Sequence, residues 1–247
     1  MTLVLAAAAT FLFTVVLTIA GVGAAFVLIP VFIGLGVGVH TAMATALLLN
    51  AVAMVVASTR FLRKRLIEWR TAVPLLIVAS ALSPLGAWIS TGLDRTVLLW
   101  LFVGFLVFAA LMMLFHRPRP RAEGASRAVL MGIGVGAGGL AGFIGGLLGV
   151  GGGNIIVPAL VAAGFDPKKA SATTSFVVIF SSLTGFLGHA SLAGMDAGLV
   201  LSTGAASALG ALGGAWLMTE RLQSRQVKIA IGVVLLGIAV KMILGLV

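Results

Sequence analysis

The sequence reads as an all-α polytopic membrane protein built from two inverted-topology repeats. Each repeat holds about five helical segments, including a Gly-broken or re-entrant hairpin, which puts 8–10 segments in the membrane. Three observations lead there. The 247 residues are 61% hydrophobic and 9% charged, with a mean hydropathy of +1.24. Uncharged runs cover 1–59, 71–93, 96–115, 128–165, 170–195 and 197–219, and a helix crossing the bilayer needs roughly 20 mostly apolar residues. The two halves also match in one constant register, which lays Gly21 on Gly149.

That match runs without gaps. Gly21-Val22-Gly23-Ala24-Ala25-Phe26-Val27-Leu28-Ile29-Pro30 lies on Gly149-Val150-Gly151-Gly152-Gly153-Asn154-Ile155-Ile156-Val157-Pro158. Ala42, Ala44 and Thr45 lie on Ala170, Ala172 and Thr173, Glu68 on Asp196, and Gly86-Ala87-Trp88 on Gly214-Ala215-Trp216. Small residues coincide by chance in a Gly/Ala-rich chain, but a register that also carries a Trp and a Pro points to duplication. The expected division is 1–116 for the first repeat, 117–127 for a basic linker and 128–247 for the second, together forming one transport domain.

Each half divides into five apolar segments. The first is a long helix at about 2–20 and 128–147, followed by a glycine break. A short segment follows at about 26–36 and 154–165, reaching barely half the bilayer at 1.5 Å per residue. The third spans about 41–59 and 169–188, the fourth 71–91 and 197–219, the fifth 96–115 and 226–246. Residues 2–20 have the length of a signal peptide but lack its basic start, and the repeat claims them as a membrane helix.

Charge gives the orientation. Arg60, Arg63, Lys64, Arg65, Arg70, Arg117, Arg119, Arg121, Arg127, Lys168, Lys169, Arg221, Arg225 and Lys228 fall in loops that the scheme places on one side, leaving Arg95 and Lys241 opposite. The positive-inside rule makes that side cytoplasmic and both termini external. The loop between segments three and four is then cytoplasmic in the first half and external in the second, so the repeats are inverted, with a site expected near the midplane at their interface. A net charge of +10 distributed this way marks topology and not nucleic acid.

The stretch from Gly142 to Pro158 is the candidate site. Five glycines fall within 146–153, with no charge between Arg127 and Asp166. Irregular backbone at such depth survives only where it is buried in protein or lines a cavity. Successive glycines let backbone N–H groups curl around an anion, and a helix N-terminus adds partial positive charge. Gly149, Gly151, Gly152, Gly153 and Asn154 could so hold a small anion without a fixed charge, Asn154 as N-cap of the following half-helix. The competing reading is that the glycines only let helices pack closely. Gly21 and Gly23 form the first copy, where Ala24, Ala25 and Phe26 replace Gly152, Gly153 and Asn154, so that it resembles a wall more than a second cradle. Thr173, Thr174 and Ser175, with Thr45 as counterpart of Thr173, offer hydroxyls that either bind substrate or bond their own helix. Asn50 is either a ligand or an interhelical hydrogen-bonding group.

With no cysteine, no HExxH and no intramembrane carboxylate pair, nothing suggests an enzyme, a metal site or a cofactor. All six acidic residues (Glu68, Asp94, Glu123, Asp166, Asp196, Glu220) fall at helix ends or loops, unlike the buried carboxylates that often carry coupling ions. His40, His116 and His189 read as interfacial. The implied partners are a small anion and the lipid bilayer, with no nucleic acid; a homo-oligomer is compatible with the sequence, which does not state it.

The Gly146 to Pro158 stretch followed by Ala170-Ser171-Ala172-Thr173-Thr174-Ser175 resembles the TauE/SafE family of sulfite and organosulfonate exporters, over nearly the whole chain. The resemblance implies transport, often outward, of small anions such as sulfite, sulfoacetate or other organosulfonates through the bacterial inner membrane. With the inverted repeats and midplane site, the expectation is a secondary transporter, an exporter working by alternating access. The alternatives are a channel-like anion pathway or a carboxylate permease.

Overall fold

The computed structural model describes residues 2–90, 95–115, 126–148, 152–190 and 196–246. Among them are ten α-helices and no strand: α1 Thr2–Ala20, α2 Ala25–Gly34, α3 Val39–Arg63, α4 Trp69–Ser90, α5 Arg95–Phe115, α6 Arg127–Leu148, α7 Gly153–Ala162, α8 Pro167–Ala190, α9 Ala197–Trp216 and α10 Ser224–Leu246. A π-helical turn, Leu217–Arg221, continues α9. By length and composition, Leu3–Ala20, Ala44–Arg63, Ala197–Arg221 and Ser224–Leu244 can each cross a membrane. The fold is that of an all-α polytopic membrane protein.

The element boundaries recur in the register that lays Gly21 on Gly149. Helix α7 begins and ends at the counterparts of the first and last residues of α2, and α8 and α9 begin at the counterparts of the first residues of α3 and α4. Each short helix has ten residues, about 15 Å of rise, and each stops in the same way. Gly36 and Gly164 both have φ +87, and the N–H groups of Val37 and Phe165 reach back to the carbonyls of Phe32 and Leu160 at 3.0 and 3.1 Å. That is the left-handed glycine stop that satisfies the last helical carbonyls. Pro30 and Pro158 lie inside these short helices, not at their ends.

Packing crosses between the halves. Helix α1 lies along α9 and α6 along α4, while α3 packs on α8 and α5 on α10. Glycines make the first two seams close. A side chain on Gly138 would meet the Leu75 carbonyl at 2.6 Å, and one on Gly134 the Thr71 carbonyl at 2.7 Å. On the other seam a Gly210 side chain would meet the Phe11 carbonyl at 2.7 Å. Lipid gives little apolar driving force between helices, so such close backbone approach and its van der Waals contact hold them together.

The ends of the bundle differ chemically. Arg60 and Lys64 at the end of α3 both pair with Glu220, at 2.9 and 2.7 Å, and Lys169 pairs with Glu68 at 2.6 Å. At the opposite end of α3 and α9, residues Leu3, Ala6, Leu35, Gly36, Val37, Gly38, Thr41, Asp196 and Leu199 surround an open recess. Glu68 follows the end of α3 yet contacts the start of α8, so α3 and α8 run antiparallel. The described acidic residues, Glu68, Asp166, Asp196 and Glu220, all sit at helix ends or in the terminal π-turn, as read from sequence.

Candidate functional site

The first break is built from two left-handed glycines. Gly21 has φ +70 and Gly23 has φ +86, values that side chains rarely tolerate. Space forbids side chains as well. A Cβ on Gly21 would fall 2.6 Å from Ser171 Cα, and one on Gly23 would fall 2.6 Å from Asn50 Oδ1. Ser171 donates its hydroxyl to the Ile19 carbonyl at 3.0 Å, satisfying one of the open carbonyls at the end of α1.

Asn50 then ties three elements together. It is 3% exposed. Its Oδ1 accepts from the Ala24 N–H at 2.6 Å, capping the N-terminus of α2 from a neighbouring helix, and its Nδ2 donates to Ser182 Oγ on α8 at 2.7 Å. Of the two roles open to Asn50 in the sequence, the interhelical bond is realised here.

The second break is finished differently. Gly152 stands at the N-cap of α7 without a side-chain cap, and its carbonyl accepts from the N–H groups of Ile155 and Ile156 at 3.1 and 3.0 Å. This corrects the assignment of Asn154 as N-cap: the helix starts one residue before it, so its amide lies within the first turn. There Asn154 is 2% exposed and its Oδ1 has no partner. Pro158 has no N–H, so the main-chain carbonyl of Asn154 also lacks its regular helical donor. Where Asn50 caps α2, its counterpart in the second half is Val178, whose methyl would lie 3.2 Å from a Cβ on Gly153. The N-terminus of α7 thus faces an apolar side chain where that of α2 meets an amide.

The two breaks touch. A Cβ on Gly153 would fall 2.6 Å from the carbonyl oxygen of Val22, the residue between the two left-handed glycines. A Cβ on Gly152 would lie 2.9 Å from Ala141 Cβ of α6. Gly21, Gly23, Asn50 and Gly153 are therefore gathered about the first break, with Gly152 and Asn154 flanking Gly153 in the chain.

The hydroxyl candidates scatter. Ser175 donates to the Ser171 carbonyl of its own helix at 2.9 Å. Thr173 lies at the basic end, where it accepts from the Glu68 N–H at 3.1 Å. Thr174 and Thr45 are fully buried with no hydrogen-bond partner. Gly149, Gly151 and His116 lie outside the described residues, as do the side chains of His40 and His189. Among the described residues no group of three His, Asp or Glu is placed to hold a metal ion. Ser182 was not singled out by sequence; with Ser181 beside it and Thr184 two residues on, nothing local sets it apart.

Among the described residues, ten helices, four of them long and apolar enough to span a bilayer, and the start of α7 lying against the α1–α2 break inside the bundle define a polytopic membrane protein. The family model described as sulfite exporter TauE/SafE matches residues 6–242. The chain belongs to this family. It is similar to the probable membrane transporter protein YunE of Bacillus subtilis (strain 168), 24% identical over 167 residues, 61% of each chain. A second relative is the probable membrane transporter protein MJ0441 of Methanocaldococcus jannaschii, 24% identical over 60% of this chain and 55% of that one. Sulfite exporter TauE/SafE family protein 6 of Arabidopsis thaliana is 56% identical over 43 residues, 17% of this chain and 10% of that one. The match thus spans about three-fifths of the bacterial relative and a tenth of the plant one. No solved structure matches the chain.

Proposed function

We propose that the protein is a secondary transporter that exports small anions, such as sulfite, sulfoacetate or other organosulfonates, by alternating access around a midplane site. The observation that carries this reading is the meeting of the two breaks at Gly153 and Val22, with the α7 N-terminus left free of a side-chain cap. Backbone N–H groups at a helix start, carrying the positive end of its dipole, suit an anion without a buried Lys or Arg. Interrupted helices meeting between repeats are where such carriers place their sites. The family description and the plant relative's name supply sulfite; sulfoacetate and other organosulfonates follow from the resemblance carried by the Gly146 to Pro158 stretch.

The exchanged packing of α1 on α9 and α6 on α4, the common register of the halves and the antiparallel course of α3 and α8 support two inverted repeats, 1–116 and 128–247, joined by the linker 117–127. The ion pairs of Arg60, Lys64 and Lys169 at one end agree with a basic cytoplasmic face. Leu3 beside Asp196 in the opposite recess agrees with external termini, in a bacterial inner membrane. Counterflow in proteoliposomes tests the function. Labelled sulfite, sulfoacetate or taurine should accumulate transiently against the same unlabelled anion, at a rate that saturates. Flux without counterflow would favour a channel, acetate alone a carboxylate permease, and no flux of any of these anions would remove the anion reading.

A further inference from the structure

Counterpart positions of the two halves lie at opposite ends of the bundle and carry different residues in different states. At the basic end the start of α4 is fastened to the start of α8 by three contacts. Lys169 Nζ lies 2.6 Å from Glu68 Oε1. The Glu68 N–H donates to Thr173 Oγ1 at 3.1 Å. The rings of Trp69 and Phe176 meet edge to face with centroids 4.9 Å apart.

The counterparts at the opposite end are Thr41 for Lys169, Asp196 for Glu68, Thr45 for Thr173, Ala197 for Trp69 and Leu48 for Phe176. No ion pair or ring contact can form between them. Thr41 and Asp196 line the open recess. The Asp196 carboxylate is turned to its own helix, accepting from the Leu199 N–H at 2.9 Å. One turn inward from Thr41, Thr45 is buried, and its hydroxyl has no partner. The bond matching Glu68 N–H to Thr173 is therefore unmade at this end.

We propose that these two sets are alternating latches. Glu68, Trp69, Lys169, Thr173 and Phe176 hold the basic end shut in the conformation described, and the transport cycle exchanges them for a bond from the Asp196 N–H to Thr45 Oγ1 that shuts the opposite end. This rests on the reading of the chain as a carrier with two equivalent halves. In such a chain each half adopts, in the second state, the arrangement its counterpart has in the first. The residues also set which state prevails. An ion pair and a ring contact favour closure at the basic end, with only a backbone-to-hydroxyl bond available opposite, so the resting protein opens toward the recess. These residues position the halves and do not touch substrate.

Maleimide labelling of single cysteines tests this without any substrate, and the native chain has no cysteine to interfere. Ala46→Cys and Thr174→Cys are counterparts, both fully buried, one behind each latch. In the purified protein Ala46→Cys should label faster. Adding Trp69→Ala and Lys169→Ala should raise labelling of Thr174→Cys about fivefold, the weight of one ring contact and one exposed ion pair, and slow Ala46→Cys. The exchange Glu68→Lys with Lys169→Glu should restore the original order, separating latch release from misfolding; Ala44→Cys and Ala172→Cys serve as a second reporter pair. Equal labelling of both reporters, or rates indifferent to the latch substitutions, would overturn the proposal. That result beside normal counterflow overturns the latches alone, whereas the expected labelling beside absent counterflow overturns the anion reading alone.

Discussion

Gly153, the first residue of α7, lies against the main-chain carbonyl of Val22, with room for no more than a hydrogen between them: a Cβ there would stand 2.6 Å from the oxygen. Val22 is held by Gly21 and Gly23, both left-handed, so the first break presents a fixed carbonyl to the start of the second. Gly153→Ala should lower stability by about 1–3 kcal/mol, the range for overpacking a tight contact, and reduce transport. Gly104→Ala, which meets nothing within 4 Å, should change neither. Thermal unfolding of the two variants in detergent checks the contrast.

Asn50 predicts a different loss. Replacing it by Ala leaves the Ala24 N–H and the Ser182 hydroxyl without their partner, and an unpaired buried donor costs about 1–3 kcal/mol. Asn50→Ala should therefore unfold at a clearly lower temperature than the wild type, and adding Ser182→Ala should lower it by less than Ser182→Ala does alone, since the two share one bond.

Asn154 should lose less. Its Oδ1 has no partner to lose, so Asn154→Ala should lower the unfolding temperature by less than Asn50→Ala does, since no hydrogen bond at that oxygen is broken. A drop as large as that of Asn50→Ala would assign it a structural bond instead.

The α6 seam gives a fourth test. Gly138→Ala would place a methyl 2.6 Å from the Leu75 carbonyl and 3.0 Å from Leu75 Cα, whereas Gly136→Ala points into open space. The first should destabilise by about 1–3 kcal/mol. The second should be neutral or slightly stabilising, since Ala outranks Gly in a helix by up to roughly 1 kcal/mol. Unfolding followed by fluorescence of the native tryptophans separates them.

Much of this architecture could be read from the chain because membrane helices announce themselves by hydropathy. Every expected segment lies within a few residues of a helix, from 2–20 for α1 to 226–246 for α10. The glycine register located both breaks, and the Gly36 and Gly164 stops repeat at the same φ. What sequence could not supply was the side-chain partnership. Asn154 looked like a cap because Asn favours that position, but the carbonyl of Gly152 already starts the helix. Ser182 was invisible because its role depends on Asn50, a residue far earlier in the chain. Thr173 could be placed on its helix, yet nothing local states that Glu68 would reach it.

The most direct measurement is uptake of labelled sulfite, sulfoacetate or taurine into proteoliposomes by the wild type and by Asn154→Ala, each over a range of concentrations. Saturable uptake of at least one of these anions by the wild type, with KM raised about tenfold in Asn154→Ala while both proteins remain folded, is the expected result. Uptake with the same KM in both would contradict a site at the start of α7, and no saturable uptake of any of the three would contradict transport of these anions.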